Sequence, residues 1–119
     1  MSELSAVRSA LDDIRKIDHV LDASLVSRGG MFVMGGSPRG AHRETFAAMS
    51  AIIFGAAETT STELKDRLGK VTVELTEQLV FLIGVGPKYL VAVTTDREAD
   101  GDKIAREAGG IISRVEPLL

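Results

Sequence analysis

The 119-residue chain has no cysteine and no tryptophan, one tyrosine and four phenylalanines. Without cysteine there is no disulfide scaffold, thiolate metal site, redox pair or thiol nucleophile. Positive charge is not in excess either: 14 Lys and Arg against 17 Asp and Glu leave a net charge of −3. That argues against a nucleic-acid partner, because such binding needs a basic face to displace counterions. No apolar run approaches the ~20 residues of a membrane helix. The opening thirteen residues also lack the basic-then-apolar layout of a signal peptide. The expectation is a cytosolic protein with neither nucleic acid nor membrane as partner. The scarcity of aromatics leaves little volume for a deep substrate pocket, a hint toward a binding or scaffold module.

What is present suits a folded chain. Hydrophobic residues make up 45% and charged residues 26%, enough apolar surface to exclude disorder. The length fits one domain spanning residues 1–119.

Helix and strand periods divide the chain. Ser2 to Ile17 predicts an amphipathic helix with Leu4, Val7, Leu11, Ile14 and Ile17 on one stripe and Ser2 as its cap. Val20 to Arg28 reads as a strand, and Gly29-Gly30 as a two-residue hairpin turn. Met31 to Met34 is the returning strand, and residues 35–40 are a loop by composition. Arg43 to Leu68 predicts a long helix of ~39 Å at 1.5 Å per residue. Gly69 suits the position just past its end. The run Thr59-Thr60-Ser61-Thr62 favours a kink or an early end. Strands follow at Val71–Thr76, Leu79–Val85 and Tyr89–Thr94, with a turn at Gly86-Pro87-Lys88. A polar loop from Asp96 to Asp102, either end of which suits a cap, precedes a last helix carrying Ile104, Ala108, Ile111, Ile112 and Val115. The order αββαβββα predicts an α+β domain. Its single five-stranded antiparallel sheet carries the long helix on one face and the terminal helices on the other.

The long helix is unusual. Between Phe46 and Ala57 only Ser50 and Gly55 fall outside the apolar set, so apolar side chains point in every direction and two sides need cover. One side fits the sheet. The second fits a copy of the same helix across a two-fold axis, with Ala48, Ala51, Ile52 and Gly55 at the contact. The alternative is a central core helix sandwiched by the first and last helices. The strand after the long helix, with Val71, Thr72, Val73 and Glu74, is placed by connectivity at a sheet edge, where a second chain can pair.

Residues able to carry chemistry are few. His19 and His42 have no ligand partner at metal spacing and read as surface residues. Asp12 and Asp13 are adjacent and point apart on a helix, which suits a solvated face rather than an acid–base pair. The loop Gly35-Gly36-Ser37-Pro38-Arg39-Gly40 lacks the Lys-Ser/Thr ending of a phosphate loop. Gly84-Val85-Gly86 has no following helix to bind a dinucleotide, and no serine sits in a nucleophile elbow. No catalytic, metal or cofactor site is expected. Arg39, His42, Arg43 and Glu44 cluster at the start of the long helix, where charged residues would steer a partner.

The block Val20–Met34 with Gly35, the alanine-rich stretch Phe46–Thr60, the hairpin Leu79–Val93 and the last helix together resemble the Roadblock family of dynein-light-chain-type domains. That family includes prokaryotic regulators of Ras-like GTPases. The resemblance covers nearly the whole chain. It implies dimers built through the long helix and the adjacent strand, with paired helices that form a platform for small GTPases or related proteins. It does not imply an arginine finger from the Arg39 loop. Bacterial activators of the family carry a further C-terminal segment, whereas this sequence reads to Leu119 just after its last helix, so a minimal platform is expected. The functional expectation is a non-enzymatic homodimer that binds a Ras-like GTPase. The alternative is a structural adaptor that bridges other proteins.

Overall fold

A two-stranded hairpin and a three-stranded meander build the sheet, joined along one long strand of each. The computed structural model describes residues 3–119, in the order α1 (Glu3–Arg15), β1 (Val20–Ser27), β2 (Phe32–Gly35), α2 (Arg43–Glu63), β3 (Val71–Glu74), β4 (Leu79–Val85), β5 (Tyr89–Thr95) and α3 (Gly101–Ser113), closed by a 3₁₀ turn at Glu116–Leu118. The sheet is antiparallel throughout and runs β2-β1-β5-β4-β3. Leu25 lies opposite Val91, which in turn lies opposite Ile83. The predicted α+β class, strand count and placement of helices on the two faces all hold.

Near-continuous apolar strands are explained by helices on both faces, since every side chain then needs an apolar environment. Val7, Leu11 and Ile14 of α1 and Ile104, Ala108 and Ile112 of α3 share one core with Ala23, Leu25, Phe81, Ile83, Val91 and Val93. On the opposite face Ala47 and Phe54 of α2 pack with Val26, Val80, Leu82, Leu90 and Ala92. The sandwiched-helix alternative for α2 is therefore overturned, because α1 and α3 lie across the sheet from it. Two-sided cover also shows in β1, where Ser24 and Val26 are as buried as Ala23 and Leu25.

Several boundaries move. On α1 the buried stripe is Val7, Ala10, Leu11 and Ile14, and Leu4 in the first turn is exposed. The cap expected at Ser2 lies outside the described residues. The hairpin loop has three residues rather than two. Ser27 N–H donates to Met31 O at 2.9 Å, and only Gly30 (φ 94°) takes a positive φ in the loop. In a three-residue loop the left-handed position is the third, which Gly30 fills at no steric cost. Further on, the register slips between Leu25, opposite Met34, and Val26, opposite Phe32. Val33 is thus an extra residue on β2, a bulge. A regular strand would send Phe32 and Met34 to the same face. The bulge instead lets Phe32 join the α2 core and Met34 the α1–α3 core.

Helix α2 stops at Glu63, five residues before the expected end. Thr60, Ser61 and Thr62 hydroxyls donate to the carbonyls of Ala56, Ala57 and Glu58, a pattern that weakens a helix. The stop itself is a Schellman motif. Asp66 N–H donates to Ser61 O, Lys65 N–H donates to Thr62 O, and Lys65 takes φ 57°. Lys65, not Gly69, fills the left-handed position. The helix is therefore about 31 Å long at 1.5 Å per residue. Asp100 caps α3 by accepting from the N–H groups of Asp102 and Lys103.

Candidate functional site

The face of α2 turned away from the sheet follows from its sequence. Ala47, Ser50 and Phe54 face inward, three to four residues apart. The positions between them must then face outward. They are Met49, Ile52 and Ile53, which are 48%, 62% and 39% exposed. Ala56, one turn on, is exposed as well. Apolar side chains of this size usually stay dry, so the stripe is an apolar surface that nothing within the described chain covers.

The residues named for self-association separate into two groups here. Ile52 stands open on the stripe. Gly55 has nothing near the position a Cβ would occupy, so a second backbone can approach it. Ala48 and Ala51 are half-buried and turned toward the hairpin loop, with Ala48 Cα 3.3 Å from the point where a Cβ on Gly30 would lie. The connectivity argument for an edge strand holds: β3 pairs only with β4. Val71 and Val73 are half-buried against the α2 core, while Thr72 and Glu74 are exposed. Glu74 is held by Arg97 at 2.8 Å.

Arg39, His42, Arg43 and Glu44 all come to the surface at the N-terminal end of α2. His42 is the N-cap residue by backbone position, but its side chain makes no cap hydrogen bond. Arg43 lies over the Phe32 ring with its Cζ 5.3 Å from the centroid, which fixes the guanidinium beside β2. Arg39 is turned instead toward a surface cleft lined by Arg15, Asp22 and Glu77.

Sequence reasoning missed Arg28. Its Nε donates to Tyr89 O at 2.7 Å and its Nη2 to Gly86 O at 2.8 Å. The same guanidinium pairs with Glu58 and lies over the Phe54 ring at 4.7 Å. One side chain thus ties the β1–β2 hairpin, the β4–β5 turn and α2 together. The only sequence signal is an arginine in the loop between two strands, and its partners are far along the chain.

His19, read as a surface residue, sits at the α1–β1 junction with φ 74°. Its Nδ1 is 3.0 Å from Asp96 Oδ2. This hydrogen bond raises the imidazole pKa above its ordinary 6.5, and Asp96 is held below the usual carboxylate range by the same contact. Lys70 Nζ donates to Asp102 at 3.0 Å and lowers that carboxyl's pKa. Both pairs are exposed and join neighbouring loops and helix ends.

The fold has known relatives. The family model of the Roadblock/LC7 domain matches residues 7–95. A Roadblock/LC7 domain from Streptomyces avermitilis is 20% identical, with 92% of this chain and 94% of that one covered and a TM-score of 0.81. The gliding protein MglB of Thermus thermophilus is 14% identical, with 100% and 94% covered and a TM-score of 0.84. MglB of Myxococcus xanthus is 13% identical, with 99% and 100% covered and a TM-score of 0.85. Comparison with curated proteins gives no match. Among the described residues, no helix is long and apolar enough to cross a membrane.

Proposed function

The chain belongs to the Roadblock/LC7 domain family, and from that premise we propose that it is a non-enzymatic homodimeric module that binds a Ras-like small GTPase and modulates its nucleotide cycle or position. The observation that carries the reading is the stripe Met49, Ile52 and Ile53, exposed on a helix whose other side is buried on the sheet. Two copies facing across a two-fold axis cover that stripe reciprocally. Gly55 lets the helices approach, and the β3 edge with Val71, Thr72, Val73 and Glu74 pairs with its symmetry mate. Ala48 and Ala51 serve from beneath, by holding α2 against the hairpin.

In this arrangement His42, Arg43 and Glu44 frame the ends of the paired helices and steer the GTPase, while Arg39 acts from the neighbouring cleft. No cofactor or metal takes part. The partner, like the dimer, is recognised by surface, which accords with the shallow clefts along the chain.

Sedimentation of the purified protein tests the dimer, and a sole species of single-chain mass at high concentration overturns it. Gel filtration with a Ras-like GTPase in GDP, GTP-analogue and transition-state-analogue forms tests the partner. Complex formation that depends on the nucleotide supports regulation. Formation that ignores the nucleotide points to the adaptor alternative, and no complex in any form defeats the GTPase reading.

A further inference from the structure

The sheet has two edges, and only β3 enters the dimer proposed above. The other edge, β2, is bordered by an open groove of about 630 Å³ that runs between α1 and α2. Met31, Phe32, Val33, Met34 and Gly35 form its floor, Arg8 of α1 one wall, and Arg43 with Glu44 of α2 the other. We propose that this groove takes a short extended segment of a partner protein, rich in acidic residues, as an added strand on β2.

Among the described residues no strand pairs with the outer side of β2, which leaves the ladder positions on that side open to an incoming strand. Edge strands in natural sheets are commonly blunted by proline or lysine. The sequence Phe32-Val33-Met34-Gly35 contains neither, nor any other charge. Met31 and Val33 are 73% and 40% exposed, an apolar floor for alternate side chains of an incoming strand.

Charge selects the occupant. Neither Arg8 nor Arg43 has a carboxylate within ion-pairing distance among the described residues. Arg43 is already positioned by its contact with Phe32, so holding it costs a ligand little side-chain entropy. Two unpaired guanidinium groups against one carboxylate, Glu44, favour carboxylates on both margins of a docked strand. The bulge at Val33 and the two helix walls obstruct pairing of a second flat sheet along this edge. A single narrow peptide still fits. The site deepens the partner-binding reading of Arg43 and Glu44 but does not depend on the α2–β3 dimer.

Amide-resolved NMR titration of the whole protein tests this, with a pool of extended heptapeptides alternating valine with glutamate or aspartate, and a matched lysine pool. The acidic pool should shift and protect amides of residues 31–35, and the lysine pool should leave them unmoved. Arg8→Glu with Arg43→Glu should weaken the acidic pool about tenfold and bring binding of the lysine pool. These substitutions lie on exposed helix surface and leave the fold intact. No shift at low millimolar acidic peptide, shifts confined to other surfaces, or equal binding of both pools overturns the proposal. Sedimentation of the same samples reads the dimer separately, so failure of one is not failure of the other.

Discussion

The two faces of the sheet carry similar apolar strands and end in different states. One is closed by α1 and α3, which together bury Val7, Leu11, Ile14, Ile104, Ala108 and Ile112 on it. The other has a single helix, and that helix turns Met49, Ile52 and Ile53 outward. Two amphipathic helices close their face because each has one apolar stripe and one polar side. A lone helix that is apolar all round closes its own face and opens another. The fold thus keeps a finished core and a portable apolar surface on opposite sides of the same five strands.

The largest effect that tests this contrast lies on the closed face. Leu25→Ala removes a fully buried side chain and should cost about 2–5 kcal/mol in urea unfolding. A loss under about 1 kcal/mol would mean that this core relaxes as freely as a surface. On the open face, Ile52→Arg should weaken self-association about hundredfold by sedimentation, as loss of an interface anchor does. The single chain should lose no more than about 0.5 kcal/mol of its own stability. Persistence of an unchanged dimer would show that the stripe is not the interface.

Arg28 sharpens the comparison, because it fastens α2 to both hairpins. Arg28→Met keeps the stem over Phe54 but removes the bonds to Tyr89 O and Gly86 O and strands Glu58. The expected cost is about 1–3 kcal/mol, with amide exchange rising first in the β4–β5 turn and the C-terminal half of α2. Uniform exchange throughout the chain would argue against a local clasp. A smaller gain is expected at the end of α2. Lys65→Gly relieves a side chain held at φ 57° and should stabilise by about 0.5 kcal/mol, read as a raised thermal midpoint.

The smallest effect is a pH dependence at the exposed His19–Asp96 pair. A raised imidazole pKa means that the protonated form is favoured in the folded chain. This contribution is full below pH 6.5 and is lost as pH rises through the raised value. The lowered pKa of Asp96 means that its share is lost as pH falls below the ordinary 3.8. The stability difference between the protein and His19→Ala should therefore be larger in mildly acidic buffer than in alkaline buffer, over a constant offset from alanine at φ 74°. A difference that grows with pH would refute the pairing.

Much of this architecture was legible in the sequence. The apolar run Leu79–Val85 gives β4 with both ends correct, because a strand covered on two faces leaves no polar position to blur it. The apolar girth of Phe46–Ala57 foretold a helix with one face too many, and the exposed stripe is that face. The end of α2 was misplaced because the chain stops on a backbone motif. Its left-handed residue is a lysine, which composition does not mark as a terminator. The hairpin loop was misjudged because two adjacent glycines look alike on paper, and only the pairing of Ser27 with Met31 tells which one bends. The contacts of Arg28 and His19 are not legible in the sequence because Tyr89 and Asp96 are 61 and 77 residues away.

By itself the sequence determined the elements, their order and the surplus of apolar surface on α2, since each follows from side-chain period and backbone propensity over a few turns. The tertiary structure alone decided that β2 carries the bulge which splits Phe32 from Met34, that the α2 stop falls on Lys65, and that Arg28 locks three segments at once. The bulge and the Arg28 clasp depend on groups distant in the chain meeting in space, and no local pattern encodes such a meeting.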